Sequence, residues 1–140
     1  MDQATANLEL ARSWFATMNV RDAAAMGALC SPDVSVLEVA EREMHKGRDY
    51  LVWAYEDLFT GYPDCTADVL NELASDDQVL VEVQWKGTNT GEFRGEPPSG
   101  GSNDLRIAYV LRVSEGAIAA ITEYYDMATV VAQLEATAPQ

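Results

Sequence analysis

The chain has 140 residues, 48% of them hydrophobic, and a formal charge of −14. That length and apolar content specify one domain, residues 1–140, with a packed core rather than disorder. The acidity argues against nucleic acid and anionic membranes as partners, since both demand basic patches. No apolar run approaches the roughly 20 residues that span a bilayer. Met1-Asp2-Gln3-Ala4 lacks a basic stretch followed by an apolar one, so no signal peptide is expected and the cytoplasm is the expected location. Cys30 and Cys65 sit outside any metal spacing and read as small buried hydrophobes. His45 is the single histidine. It lies beside Lys46 and reads as exposed, and a single histidine excludes a histidine-rich metal site.

In chain order, Asn7 to Asn19 shows a helical period, with Leu8, Ala11, Phe15 and Met18 on one stripe and Trp14 beside it. Asp22 is a good N-cap for a short Ala-rich helix that Ser31-Pro32 ends. Asp33 to Ala40 reads as the first strand, where Glu38 shares a face with Val34 and Val36. Such a carboxylate lies at a solvated sheet edge or projects into a cavity. Glu43 to Lys46 is a short returning strand. The third helix, Tyr50 to Thr60, carries Trp53 near its apolar side and has Gly61 placed for its C-cap.

Thr66 to Leu73 and Gln78 to Thr88 read as strands, the second with Val79, Val81, Val83 and Trp85 on one buried face. Gly87 to Asn103 holds five of the nine glycines together with Pro97-Pro98. It reads as a long loop that overhangs a site and matches no phosphate-binding spacing. Leu105 to Val113 is the next strand, and Met127 to Leu134 a final short helix. Helices first and mainly antiparallel strands afterwards predict an α+β domain whose curved sheet wraps an apolar cavity.

Between those last two elements, Gly116 to Asp126 is rich in Ile, Tyr and Thr and reads as a half-buried strand. Strict alternation places Ile118, Ala120, Thr122, Tyr124 and Asp126 on one face. Ala117, Ala119, Ile121, Glu123 and Tyr125 fall on the other. Asp126 thus closes an apolar row just before a helix. It is either that helix's N-cap or a reactive acid in a pocket, and spacing alone favours the cap.

The run Gly87-Thr88-Asn89-Thr90-Gly91-Glu92-Phe93-Arg94-Gly95-Glu96-Pro97-Pro98-Ser99-Gly100 resembles the G-T-H-T-G-E-F-x-G-x-P-P-(S/T)-G signature of SnoaL-like polyketide cyclases. Tyr124-Tyr125-Asp126 and Gln133-Leu134 are similar to the family's ending. Asp22, Pro32-Asp33, Gly47-Arg48-Asp49 and Tyr62-Pro63-Asp64 fit the wider nuclear transport factor two-like superfamily. The resemblance implies a cone-shaped α+β barrel, open at one end and dimeric through the sheet. It also implies a secondary-metabolite (antibiotic-type) cyclase that closes a ring by intramolecular aldol condensation without metal or cofactor. The family's acid/base aspartate maps to Asp126, which reverses the preference for the cap. This chain departs from the pattern in having Asn89 at the signature histidine. Its penultimate strand offers Arg106, Tyr109 and Arg112 where the family has a histidine.

Aldol closure needs a base for an activated methylene, donors for the enolate and a shape that folds the substrate one way. Asp126 is the expected base. Tyr124, on its face, is either an oxyanion donor or core, and Asn89 is either a donor over the mouth or a turn residue. Trp14, Phe15, Met18 and Trp53 would form walls for a flat polyketide. Glu38, Tyr109 and Arg112 complete the expected substrate-binding set, the last two facing either the cavity or the dimer interface. Epoxide opening by two carboxylates, with Glu38, Asp126 and Arg112 converging, is an alternative activity. A non-catalytic small-molecule-binding module is another.

Overall fold

The computed structural model describes residues 2–140. Helix α1 (Gln3–Asn19) and the short helix α2 (Ala23–Ala28) lead into strand β1 (Cys30–Glu38), a 3₁₀ turn (Val39–Glu41) and strand β2 (Glu43–Lys46). Helix α3 (Arg48–Gly61) then precedes β3 (Thr66–Ala74), β4 (Gln78–Thr88), β5 (Ser102–Ser114) and β6 (Ala117–Tyr124), and helix α4 (Met127–Thr137) ends the fold. All six strands form one sheet in the order β2-β1-β6-β5-β4-β3, antiparallel except for β1 against β6. This is the expected α+β arrangement, with one difference. The sheet is curved but open, because β2 and β3 do not pair and no barrel closes. Among the described residues no helix is long and apolar enough to cross a membrane.

Aspartates start three of the helices, as their short acceptors suit orphan N–H groups. Asp2 receives Thr5 N, Asp22 receives Ala25 N, and Asp126 receives Ala128 N. The first strand begins earlier than Pro32 suggested. Its pairing with β6 shifts between Cys30 and Ser35, so Pro32 sits in an irregular stretch where a missing N–H is tolerated.

The core lies between α1, α3 and the concave face of the sheet. Trp14 and Phe15 of α1 meet Tyr109 of β5 edge to face, with centroids 6.0 and 5.1 Å apart, and Trp14 meets Tyr55 of α3 at 5.7 Å. Such pairs add about 0.5–1.5 kcal/mol beyond area burial and fix the rings' angles. Asn19 fastens α1 to the free edge of the sheet. Its amide donates to Ala67 O and accepts from Ala67 N, filling two edge positions of β3 that would otherwise invite another strand.

The long loop between β4 and β5 is pinned by Asn89. That side chain donates to Gly61 O and Gly91 O, and accepts from Ser99 N and Ser99 Oγ. Its backbone also pairs with Gly101 O and Gly100 N. Asn89 is buried and its hydrogen-bonding capacity is full, so the structure makes it the loop's fastener rather than a donor in the cavity. Gly91 must be glycine, because a Cβ there would collide with the Thr60 carbonyl. Four hydrogen bonds at about 1 kcal/mol each set the expected effect: Asn89→Ala should destabilise the protein by roughly 2–4 kcal/mol. Urea melts of the two proteins check this, and an unchanged midpoint would refute the fastening role.

Candidate active site

A cavity of about 810 Å³ opens between α3, the concave sheet and the long loop. Its walls come from Val36, Leu51, Leu58, Trp85, Leu105 and Ile107, and its rim from Trp53 and Tyr50 of α3 with His45 of β2. His45 stacks on Tyr50 at 4.1 Å, giving the rim a flat aromatic surface. Asn103 also lines the cavity. Its oxygen accepts from Tyr62 Oη at 2.8 Å, and its nitrogen donates to Val130 O at 3.1 Å. A concave, mainly apolar pocket with a few convergent polar groups is the usual form of a small-molecule site.

The polar centre is a row that crosses four strands. Tyr109 of β5 pairs in register with Glu123 of β6, Glu123 with Glu38 of β1, and Glu38 with Glu43 of β2. All four line the cavity. The Tyr109 hydroxyl donates to Glu123 Oε1 at 3.3 Å, and the Tyr125 hydroxyl to Glu38 Oε2 at 3.1 Å. Arg94 reaches in from the loop, with Nη2 3.1 Å from Glu38 Oε2 and Nη1 against Glu41. Burial, reinforced by the charge of Glu38, pushes the Glu123 carboxyl up to about 8, against the opposing pull of the Tyr109 hydroxyl and Arg94. Desolvation, with the nearby carboxylates, also raises Tyr55, Tyr109 and Tyr125, which stay protonated donors.

The expected base lies elsewhere. Asp126 is exposed, does not line the cavity, and caps α4 while accepting from Thr129 Oγ1 at 2.6 Å. That hydroxyl, followed by backbone N–H groups, holds its carboxyl below the ordinary range, the opposite of the desolvation expected. Tyr124 is 48% exposed on the outer face. The reason is a bulge. Arg112 pairs with Ala120 but Val113 with Ile118, so Ala119 is an extra residue that reverses the alternation of β6. Ile118, Ile121, Glu123 and Tyr125 therefore face inward. Asp126 and Tyr124 do not.

The other expectations divide cleanly. Glu38, Tyr109 and Trp53 line the cavity as expected, Trp53 at its rim. Trp14, Phe15 and Met18 are core behind the cavity, not wall. Arg112 is exposed, 3.7 Å from Asp77, and lies outside the cavity. Glu123, Tyr125, Arg94 and Tyr55 were missed as site residues. One signal was present: Glu123 and Tyr125 share a face with Ile121, and a carboxylate beside a buried isoleucine is anomalous.

The family model of SnoaL-like polyketide cyclases matches residues 8–134, and the chain belongs to that family. A candidate SnoaL-like polyketide cyclase from Jannaschia sp. CCS1 superposes with a TM-score of 0.86 at 21% identity, covering 98% of this chain and 95% of that one. A candidate polyketide cyclase from Xanthomonas campestris pv. campestris gives 0.85 at 20% identity, over 95% of this chain and 99% of that one. IdmH, a candidate polyketide cyclase from Streptomyces antibioticus, gives 0.77 at 22% identity, over 92% and 98%. At these identities the likeness carries the nuclear transport factor two-like fold alone. No curated relative matches the chain.

The raised Glu123 carboxyl has a thermodynamic consequence whose sign is fixed. The folded state binds this proton more tightly than the unfolded chain. The stability it contributes is therefore complete below about pH 4.5 and is lost as pH rises through about 8. Glu123→Gln should melt above the wild type at pH 9, with the gap closing towards pH 4.5. Thermal melts across that range check it, and a gap independent of pH would show that Glu123 titrates normally.

Proposed function

We propose that the protein is a cofactor-free cyclase closing a ring in a polyketide-like carbonyl substrate of secondary metabolism, with Glu123 as the acid/base group that Asp126 was expected to be. The observation that carries this reading is the carboxyl of Glu123, raised to about 8 at the wall of an apolar cavity and touched by Tyr109. A base works best when its pKa lies near the working pH, and removal from water supplies that tuning. In an aldol closure the Glu123 carboxylate takes a proton from a methylene between two carbonyls. The resulting enolate attacks a second carbonyl to form the new carbon–carbon bond. Glu123 then returns its proton to the new alkoxide, and no cofactor enters the balance. Tyr109 and Tyr55, both kept protonated, are donors for the transient negative charge. The aromatic rim of His45, Tyr50 and Trp53 would guide a flat substrate inward.

Epoxide opening stays in play because Glu38 and Glu123 are register partners with Arg94 between the loop and β1. There a protonated Glu123 would hand its proton to the epoxide oxygen, while Glu38 takes one from the attacking hydroxyl. The two activities differ in the sign of their pH response. With Glu123 as base the rate rises with pH towards about 8; with Glu123 as acid it falls beyond about 8.

A 1,3-dicarbonyl ester followed by deuterium exchange at its methylene, and a cycloalkyl epoxide followed by diol formation, separate these cases. Glu123→Gln should lower whichever activity is present by about 100-fold or more. Asp126→Asn should leave it unchanged and alter stability little, since asparagine caps a helix about as well as aspartate. The reverse pattern would restore Asp126 to the chemistry. Ligand binding without turnover in the wild type would favour a binding module.

The reading includes a homodimer through the outer sheet face. The row Leu73, Leu80, Val110 and Thr122 crosses four strands there, with Leu73 and Leu80 68% and 44% exposed. Placing Lys at Leu80 should yield a monomer in sedimentation equilibrium. A monomeric wild type would remove the dimer from the account.

A further inference from the structure

Two neighbouring carboxyls on paired strands cannot both be charged cheaply, since like charges directly opposite repel and one of them keeps a proton. What decides which one keeps it is the set of donors around each. Glu38 receives Arg94 Nη2 at 3.1 and 3.5 Å and the Tyr125 hydroxyl at 3.1 Å. Among the described residues, Glu123 receives a side-chain hydrogen bond from the Tyr109 hydroxyl alone, at 3.3 Å. The asymmetry rests on a single cation, because Arg94 is the lone lysine or arginine that lines the cavity.

Arg94 is held to this task by its backbone. It sits at φ 52°, in the left-handed region, with its N–H donated to Asp57 Oδ2 at 3.1 Å. Phe93 and Glu96 bridge around it, and its guanidinium carbon lies 4.9 Å from the centre of the Phe93 ring. The guanidinium is thus delivered from a fixed turn to both Glu38 and Glu41, at the seam between β1 and the 3₁₀ turn. The charged and titratable groups around Glu38 are Arg94 from the loop, Glu41 from the turn and Glu43 from β2. Tyr50 and Tyr55 from α3, Tyr109 from β5, and Glu123 and Tyr125 from β6 and its continuation face it as well, with His45 of β2 beside Glu43.

We propose that Arg94 is a positioning residue: by pairing with Glu38 and Glu41 it keeps Glu38 an anion and leaves the proton of the pair on Glu123. The inference rests on the reading of Glu123 as the acid/base group and assigns the residue that makes it so. Arg94 itself touches no reacting atom in this scheme.

The test is substrate-free and uses the full chain labelled with ¹³C at the glutamate carboxyls. Glu123 and Glu38 signals are assigned by Glu123→Gln and Glu38→Gln. In the wild type Glu123 should titrate in one step near 8. In Arg94→Gln and in Arg94→Met, which keeps the packing stem, that step should move up by about one pH unit. Arg94→Lys, retaining the charge, should return the step most of the way to its wild-type position. An unmoved Glu123 step in a folded uncharged variant would overturn the proposal and leave Arg94 as a loop anchor only. Deuterium exchange by Glu123→Gln separates the two claims. Retained exchange refutes the catalytic role without touching the titration result.

Discussion

The site depends on an unfavourable pairing: Glu38 and Glu123 are register partners on the two parallel strands of an otherwise antiparallel sheet, and the charge of one acts on the other. Isolated, such a pair would drive the strands apart or be relieved by exposure. Here it is tolerated because the charge of one carboxyl is met by Arg94 from the loop, while the other sits half-buried in the cavity wall, where desolvation favours its protonated form. The arrangement is destabilising at alkaline pH, where the raised Glu123 carboxyl loses its proton. The aromatic cluster of Trp14, Phe15, Tyr55 and Tyr109 packs behind it.

The fold's elements converge on that pairing. β5 supplies Tyr109, β6 supplies Glu123, β1 supplies Glu38, and the loop supplies Arg94. Helix α3 closes the cavity from above and, through Asp57, also fixes the loop residue that reaches across it. The parallel pairing of β1 with β6 matters most, since it sets two acidic residues from opposite ends of the chain at one level. Neither strand alone contains a site.

Much of the architecture could be read from residue pattern. The valine alternation of β4 placed its buried face correctly, and the aspartate caps marked the starts of α2 and α4. The signature run located the loop. What the pattern could not show was a single surplus residue in β6. Alternation assumes a continuous ladder, and Ala119 breaks it without any glycine or proline to announce the break. From that one residue follows the exchange of Asp126 and Tyr124 for Glu123 and Tyr125. Arg94 escaped notice for another reason: a side chain in an irregular loop has no periodicity, and its direction is set by tertiary contacts alone.

The residue that fastens the loop has a neutral amide, with no proton to gain or lose in the range where the carboxyl pair responds. An imidazole in the same place would give up its acceptor on protonation, and with it the contacts from Ser99 that hold the loop. With Asn89, the fastening of the loop carries no titratable group. Acidity changes the charge on Glu123 while the hydrogen bonds that hold the loop over the cavity are unaffected.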